Sequence, residues 1–128
     1  MSIWFILAAM IFLHVIDDYV LQAPCLCNLK QKQWWKDNAP DKLYRFDYIW
    51  ALIMHSFSWS FMIMLPIAIV RGFNVDINFF FMLIINTAFH AGVDDLKANK
   101  HQINLWKDQL AHMGQILITL FLYVMEVL

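Results

Sequence analysis

The chain has 128 residues, of which 62% are hydrophobic, 16% aromatic and only 15% charged, with a formal net charge of −1. Soluble domains are nearer half apolar and a quarter charged, and one domain of this length has no core large enough to hide the surplus. There is no basic excess to hold phosphates, so nucleic acid is not an expected partner. The expected surrounding is the lipid bilayer.

Four apolar stretches are met in chain order. The first covers about 2–22, opens IWFILAAMIFLHVI, and runs on to an acidic pair without small-residue cleavage chemistry, so it reads as a span and not a leader. A polar, lysine-rich connection at about 23–47 follows. Its Cys25 and Cys27 are too close for an easy disulfide and lack Cys-x-x-Cys spacing; they read as two small residues at a helix end. Trp34, Trp35, Pro40 and Tyr44 predict a short interfacial helix and then a loop, with the tryptophans at headgroup depth. The second span covers about 48–70 and contains Pro66, where a kink is expected. Arg71-Gly72-Phe73-Asn74 forms a tight turn into the third span, about 77–96. A short connection at about 97–104 leads to the fourth, about 105–128. Each stretch is near the ~20 residues a helix needs to cross ~30 Å of hydrocarbon, and helices are required because lipid cannot satisfy open backbone groups.

The expected fold is therefore an all-α integral membrane protein. It is a single domain, 1–128, built as a four-transmembrane-helix antiparallel bundle with a short interfacial helix in the first cytoplasmic loop. Of the 9 basic residues, all but Arg71 fall in or beside the connections that follow spans one and three. The positive-inside rule places those connections in the cytoplasm and both termini outside.

The ionisable residues inside the spans are the main functional signal, because an aspartate at membrane depth costs about 2.5–3.5 kcal/mol on insertion scales. His14 and Asp18, His90 and Asp94, and Asp108 and His112 are each four apart, so each pair stacks on one helix face. Gln22, Lys97 and Gln115 extend the three stripes by a turn. Spans alternate in direction, and the histidines alternate with them: His14 late, His55 early, His90 late, His112 early. At ~1.5 Å per residue each lies roughly 10 Å below the loop end of its helix. Paired inward-facing side chains at one depth are how bundles build metal sites. Imidazole and carboxylate without thiolate suit zinc, iron or manganese, and the number of ligands fits one or two divalent ions.

Plainer readings stand beside this one. A lone membrane histidine such as His55 is often a hydrogen-bonded packing residue. Asp17 and Asp95 should point about 100° away from their stripes, as solvated helix-end groups or outer supports. Lys97 could snorkel to the headgroups, the three stripes could form salt bridges without metal, and His101 reads as a solvated loop residue.

The pattern His14-x-x-x-Asp18-Tyr-x-Leu-Gln22, His90-x-x-x-Asp94-x-x-Lys97 and Asp108-Gln109-x-x-His112 resembles the small bacterial and phage membrane proteins called domain of unknown function 3307, over nearly the whole chain. Asp18, Gln22, Lys97 and Gln109 match that family's motif positions, and the polar insert around Trp34 to Asp47 departs from it. The resemblance implies a bacterial cytoplasmic membrane and a distant similarity to membrane-bound metal-dependent hydrolases.

The leading expectation is thus a membrane-embedded metal-dependent hydrolase, open to the cytoplasm and acting on a phosphoester or lipid headgroup, whether of a lipid or of a phosphorylated small molecule. His14, Asp18, His90, Asp94, Asp108 and His112 are the expected metal ligands. His55 completes the shell or acts as acid–base, while Lys97 and Gln109 steady an anionic substrate. Two other classes fit the same residues: an ion, proton or small-solute transporter, extended through Ser56, Ser58, Asn86 and Thr87 or through a homo-oligomeric pore, and a metal-stabilised structural or signalling protein of phage or defence type. Glycine-rich phosphate loops, nucleophile elbows and His-Glu-x-x-His motifs are lacking.

Overall fold

The structure is a computed structural model describing residues 1–22 and 24–125; Ala23, where the first connection begins, and the last residues of the expected fourth span lie outside the described residues. Among the described residues there is no strand. The elements are α1 (Ile3–Ile16), a π-helical turn (Asp17–Leu21), α2 (Pro24–Leu29), α3 (Lys32–Asn38), a 3-10 turn (Lys42–Tyr44), α4 (Asp47–Val70), α5 (Ile77–Ala98) and α6 (Leu105–Val124). Three segments, Ile3–Leu21, Lys42–Val70 and Ile77–Ala98, are long and apolar enough to cross a membrane. α6 is not among them, because Lys107, Asp108, Gln109, His112 and Gln115 make its first half polar.

α4 packs against α1 and α5, and α6 closes the group against α5 and α1. Each neighbouring pair runs antiparallel: contacts match His14 with Trp59 and Asp17 with Ser58, His55 with His90 and Met64 with Asn86, and Lys97 with Asp108 and Asn86 with Thr119. The interior at one end is apolar, formed by Ile6, Met10, Ile63, Met64, Ile67, Phe79, Leu83, Ile116 and Leu120. The exterior is apolar too. Trp4, Phe12, Trp50, Phe61, Phe81, Ile84, Leu117 and Phe121 all stand outward, while thirteen polar or charged residues are buried. A soluble monomer does not expose contiguous apolar surface on this scale.

Local structure departs from the expectations at two places. Span one does not stay α-helical to its end: the Gln22 amide donates to the Asp17 carbonyl at 2.9 Å, an i→i+5 bond that closes a π turn. Asp17, expected to turn away, is 1% exposed as a result. The first connection holds two short helices instead of one: α2 carries the exposed free Cys25 and Cys27, and α3 carries Trp34 and Trp35. α4 is continuous through Pro66.

The α4–α5 turn carries Gly72 and Phe73, both at φ 61°. Asp76 ends it by capping α5, its carboxylate accepting from the Phe79 amide at 3.1 Å with the Arg71 guanidinium 3.6 Å away. The Phe79 amide, aided by Arg71, holds the Asp76 carboxyl below its ordinary 3.8. Its ionised form therefore stabilises the fold above that value, and the contribution drains away as pH falls through the lowered one. Asparagine caps equally well but carries no charge. Between about pH 6 and about pH 3 the native chain should lose more thermal stability than Asp76→Asn; equal losses would show the charge to be idle.

Candidate metal centre

The site is built from the loop-side ends of all four long helices. Four buried carboxylates meet there, and each has one oxygen held by a donor while the other faces an imidazole. Asp17 Oδ1 accepts from Ser58 at 2.6 Å, leaving Oδ2 without a partner and 3.5 Å from His55 Nδ1. Asp18 Oδ2 accepts from Gln109 at 3.3 Å, and its unpartnered Oδ1 lies 3.4 Å from His55 Nε2. Asp94 Oδ2 accepts from Lys30 at 2.5 Å, and Oδ1 lies 3.5 Å from His112 Nε2 and 3.7 Å from His90 Nε2. Asp108 Oδ2 accepts from Lys97 at 2.5 Å and from Gln109 at 3.2 Å, while its Oδ1 has no partner and is 3.4 Å from His112 Nε2. Unpaired buried acceptors are costly, and here they cluster.

Two groups of side chains converge closely enough to hold an ion: Asp18, His55 and His90, and His90, Asp94 and His112, with the ligand atoms of each group within 4.8 Å of one another. They share His90, whose Nε2 is 3.2 Å from His55 Nε2. Two ligands at about 2.1 Å in tetrahedral array stand about 3.4 Å apart. The separations of 3.2, 3.4 and 3.5 Å from His55 Nε2 to His90 Nε2, Asp18 Oδ1 and Asp94 Oδ2 match that spacing. The first is an ordinary hydrogen bond in length, and the other two are too long for good ones. The donor set therefore fits a divalent ion better than it satisfies itself.

The imidazoles are oriented by their surroundings. The Trp59 indole donates to His14 Nδ1 at 2.7 Å, so the ring proton sits on Nε2 and is donated to Gln109 Oε1 at 3.0 Å. Both His14 nitrogens are thus engaged. His14, read from its spacing as a ligand, stands outside the two converging groups and instead holds Gln109, which in turn holds Asp18 and Asp108. Asp17 stands against His55 Nδ1 in the manner of the carboxylates that orient metal-binding histidines. Trp59, His90 and His112 form one stack, with centroids 4.2 and 4.1 Å apart.

Other residues singled out in the sequence take plainer places. Asp95 pairs with Lys100 at 3.1 Å at the end of α5, His101 is exposed, and Gln115 donates to the Asn86 side chain at 2.8 Å in a separate buried network with Thr119. Sequence reasoning missed Trp59 and above all Lys30, and it named Ser58 only as a step in a transport path. Lys30 belongs to the connection by sequence, yet it is 4% exposed because α2 folds back over the helix ends and delivers it to Asp94.

No protein-family model matches the chain, and neither a curated protein nor a solved structure is significantly similar to it.

Breaking a buried ion pair by removing one partner costs about 3–5 kcal/mol. Lys30→Met should lower stability by that order in a detergent melt, and adding Asp94→Asn should recover most of the loss. Single and double variants of equal stability would contradict the pairing.

Proposed function

We propose that this chain is a membrane-embedded, metal-dependent hydrolase that acts on a phosphoester or lipid-headgroup ester from the side of its longer connections. The observation that carries the reading is the convergence of Asp18, His55 and His90, and of His90, Asp94 and His112, with the ligand atoms of each group within 4.8 Å of one another and Asp18 Oδ1 without a partner. The motif resemblance and the match of Asp18, Gln22, Lys97 and Gln109 to it support the same reading. So does the packing of α4 against α1 and α5, with α6 against α5 and α1. In this reading α6 is the fourth span, the surrounding is a bacterial cytoplasmic membrane, the termini lie outside, and the centre opens to the cytoplasm.

A divalent ion, zinc, iron or manganese, supplies polarisation of a phosphoryl or acyl oxygen and activation of water. His55, His90, His112, Asp18 and Asp94 would hold it, with Asp108 beside His112. His55 has Asp17 at its far nitrogen, where the carboxylate orients the ring. Gln109 fixes the orientation of Asp18 and Asp108. Lys97, a third exposed and beside Asp108, can meet an anionic group arriving from the loop side.

Transport is the second reading, and one observation favours it: the Asn86–Gln115–Thr119 network extends the polar interior beyond His112. It then meets the apolar plug of Ile63, Ile67, Leu83 and Leu120, which fits a one-sided site better than a path.

Purified protein should retain divalent metal in stoichiometric amount by elemental analysis. His90→Ala should lose both the metal and turnover on a panel of lipids and phosphoesters, whereas Gln33→Ala, on the exposed face of α3, should keep both. Full activity in metal-free protein would overturn the reading. In liposomes, solute or proton flux that collapses with Asp94→Asn would replace it with transport.

A further inference from the structure

A cavity of ≈ 310 Å³ lies at the mouth of the centre, lined by Gln22, Cys27, Lys30, Gln31, Lys97, Ala98 and His101. No carboxylate is among these residues. The acids all lie behind the two lysines, so a solute coming from the mouth meets ammonium groups first. We propose that this cavity binds a phosphate-type oxyanion between Lys30 and Lys97, and that it does so after a cation has occupied the carboxylates behind them. The inference rests on the metal reading above and names the group of the substrate that the protein grips.

The hydrogen-bonding capacity of the lysines supports this occupant. An ammonium has three N–H donors. Lys30 uses one on Asp94 and one on the Gln22 amide oxygen, in the amide orientation that also lets the Gln22 nitrogen donate to the Asp18 carbonyl at 3.1 Å. Lys97 uses one on Asp108. One donor remains on Lys30 and two on Lys97, which matches the three terminal oxygens of a phosphoryl group. Lys30 is pinned, being 4% exposed, whereas the Lys97 side chain is 33% exposed and so can adjust to its ligand. The two come from elements far apart in sequence, α5 and the end of α2, and both face this cavity.

Charge sets the order of binding. The carboxylates of Asp17, Asp18, Asp94 and Asp108 outnumber the ammonium groups of Lys30 and Lys97, and the acidic excess repels a phosphate dianion. One divalent cation cancels that excess and leaves the spare ammonium donors as the dominant field at the mouth.

The test is titration calorimetry with inorganic phosphate on the full chain in detergent, metal-loaded and metal-stripped. The loaded protein should bind phosphate, and the stripped protein about tenfold or more weakly, because its acids are then uncompensated. Lys97→Gln should weaken phosphate binding about tenfold while retaining metal, and Lys97→Arg should restore most of the loss. Soluble short-chain phosphatidic acid, set against phosphatidylcholine, separates the sources: displacement of phosphate by the former alone assigns the site to a lipid headgroup, and no displacement assigns it to a free phosphate. Equal binding with and without metal, or undiminished binding by Lys97→Gln, overturns the proposal. Protein that holds metal but no phosphate overturns this inference alone; protein that holds no metal overturns the metal reading along with it.

Discussion

The arrangement of this protein depends on the need to keep four carboxylates inside a chain whose outside is oil-like. An uncompensated buried charge is among the most costly features a fold can carry. Each acid here is held from a different element: Ser58 of α4 holds Asp17, Gln109 of α6 holds Asp18, Lys97 of α5 holds Asp108, and Lys30 at the end of α2 holds Asp94. No single helix is self-sufficient. The same interactions that satisfy the acids therefore draw the four helix ends together, and the centre is as much a structural knot as a site.

Most of the centre's residues were legible because helical periodicity is local. A spacing of four places His90 with Asp94 and Asp108 with His112 whatever the rest of the chain does, and the early–late alternation of the histidines follows from antiparallel connectivity. What escaped depends on tertiary placement. Trp59 lies in an apolar run and cannot be told by sequence from the tryptophans that face outward, such as Trp50. Lys30 carries the same local signature as Lys32 and Lys36, which stay exposed; only the fold-back of α2 separates them. Asp17 takes the outer supporting place expected of it, but the π turn directs it inward where regular α-helical geometry would have turned it away. The division of labour among the histidines was hidden too, since only the Trp59 indole reveals that His14 is already engaged at both nitrogens.

The interior is graded along its length. Charged groups occupy the loop end, the amide and hydroxyl network of Asn86, Gln115 and Thr119 follows, and aliphatic packing closes the far end. Each layer is less demanding of solvation than the one before. Such a gradient keeps water-seeking chemistry near one face, where an aqueous or headgroup ligand is within reach, and leaves the opposite half to packing.

The π turn after α1 has a consequence for how this centre can be inherited. A π turn holds one residue more than the α turn it replaces, and here that surplus brings two adjacent acids to one face. Asp17 supports His55 while Asp18 faces the centre, roles that a regular helix would set about 100° apart. The acidic pair is therefore a matter of length as well as identity. Removing one residue anywhere within the turn would keep both aspartates in the chain and still dismantle their partnership, so tolerance of this stretch to substitution and its tolerance to deletion should be sharply different properties.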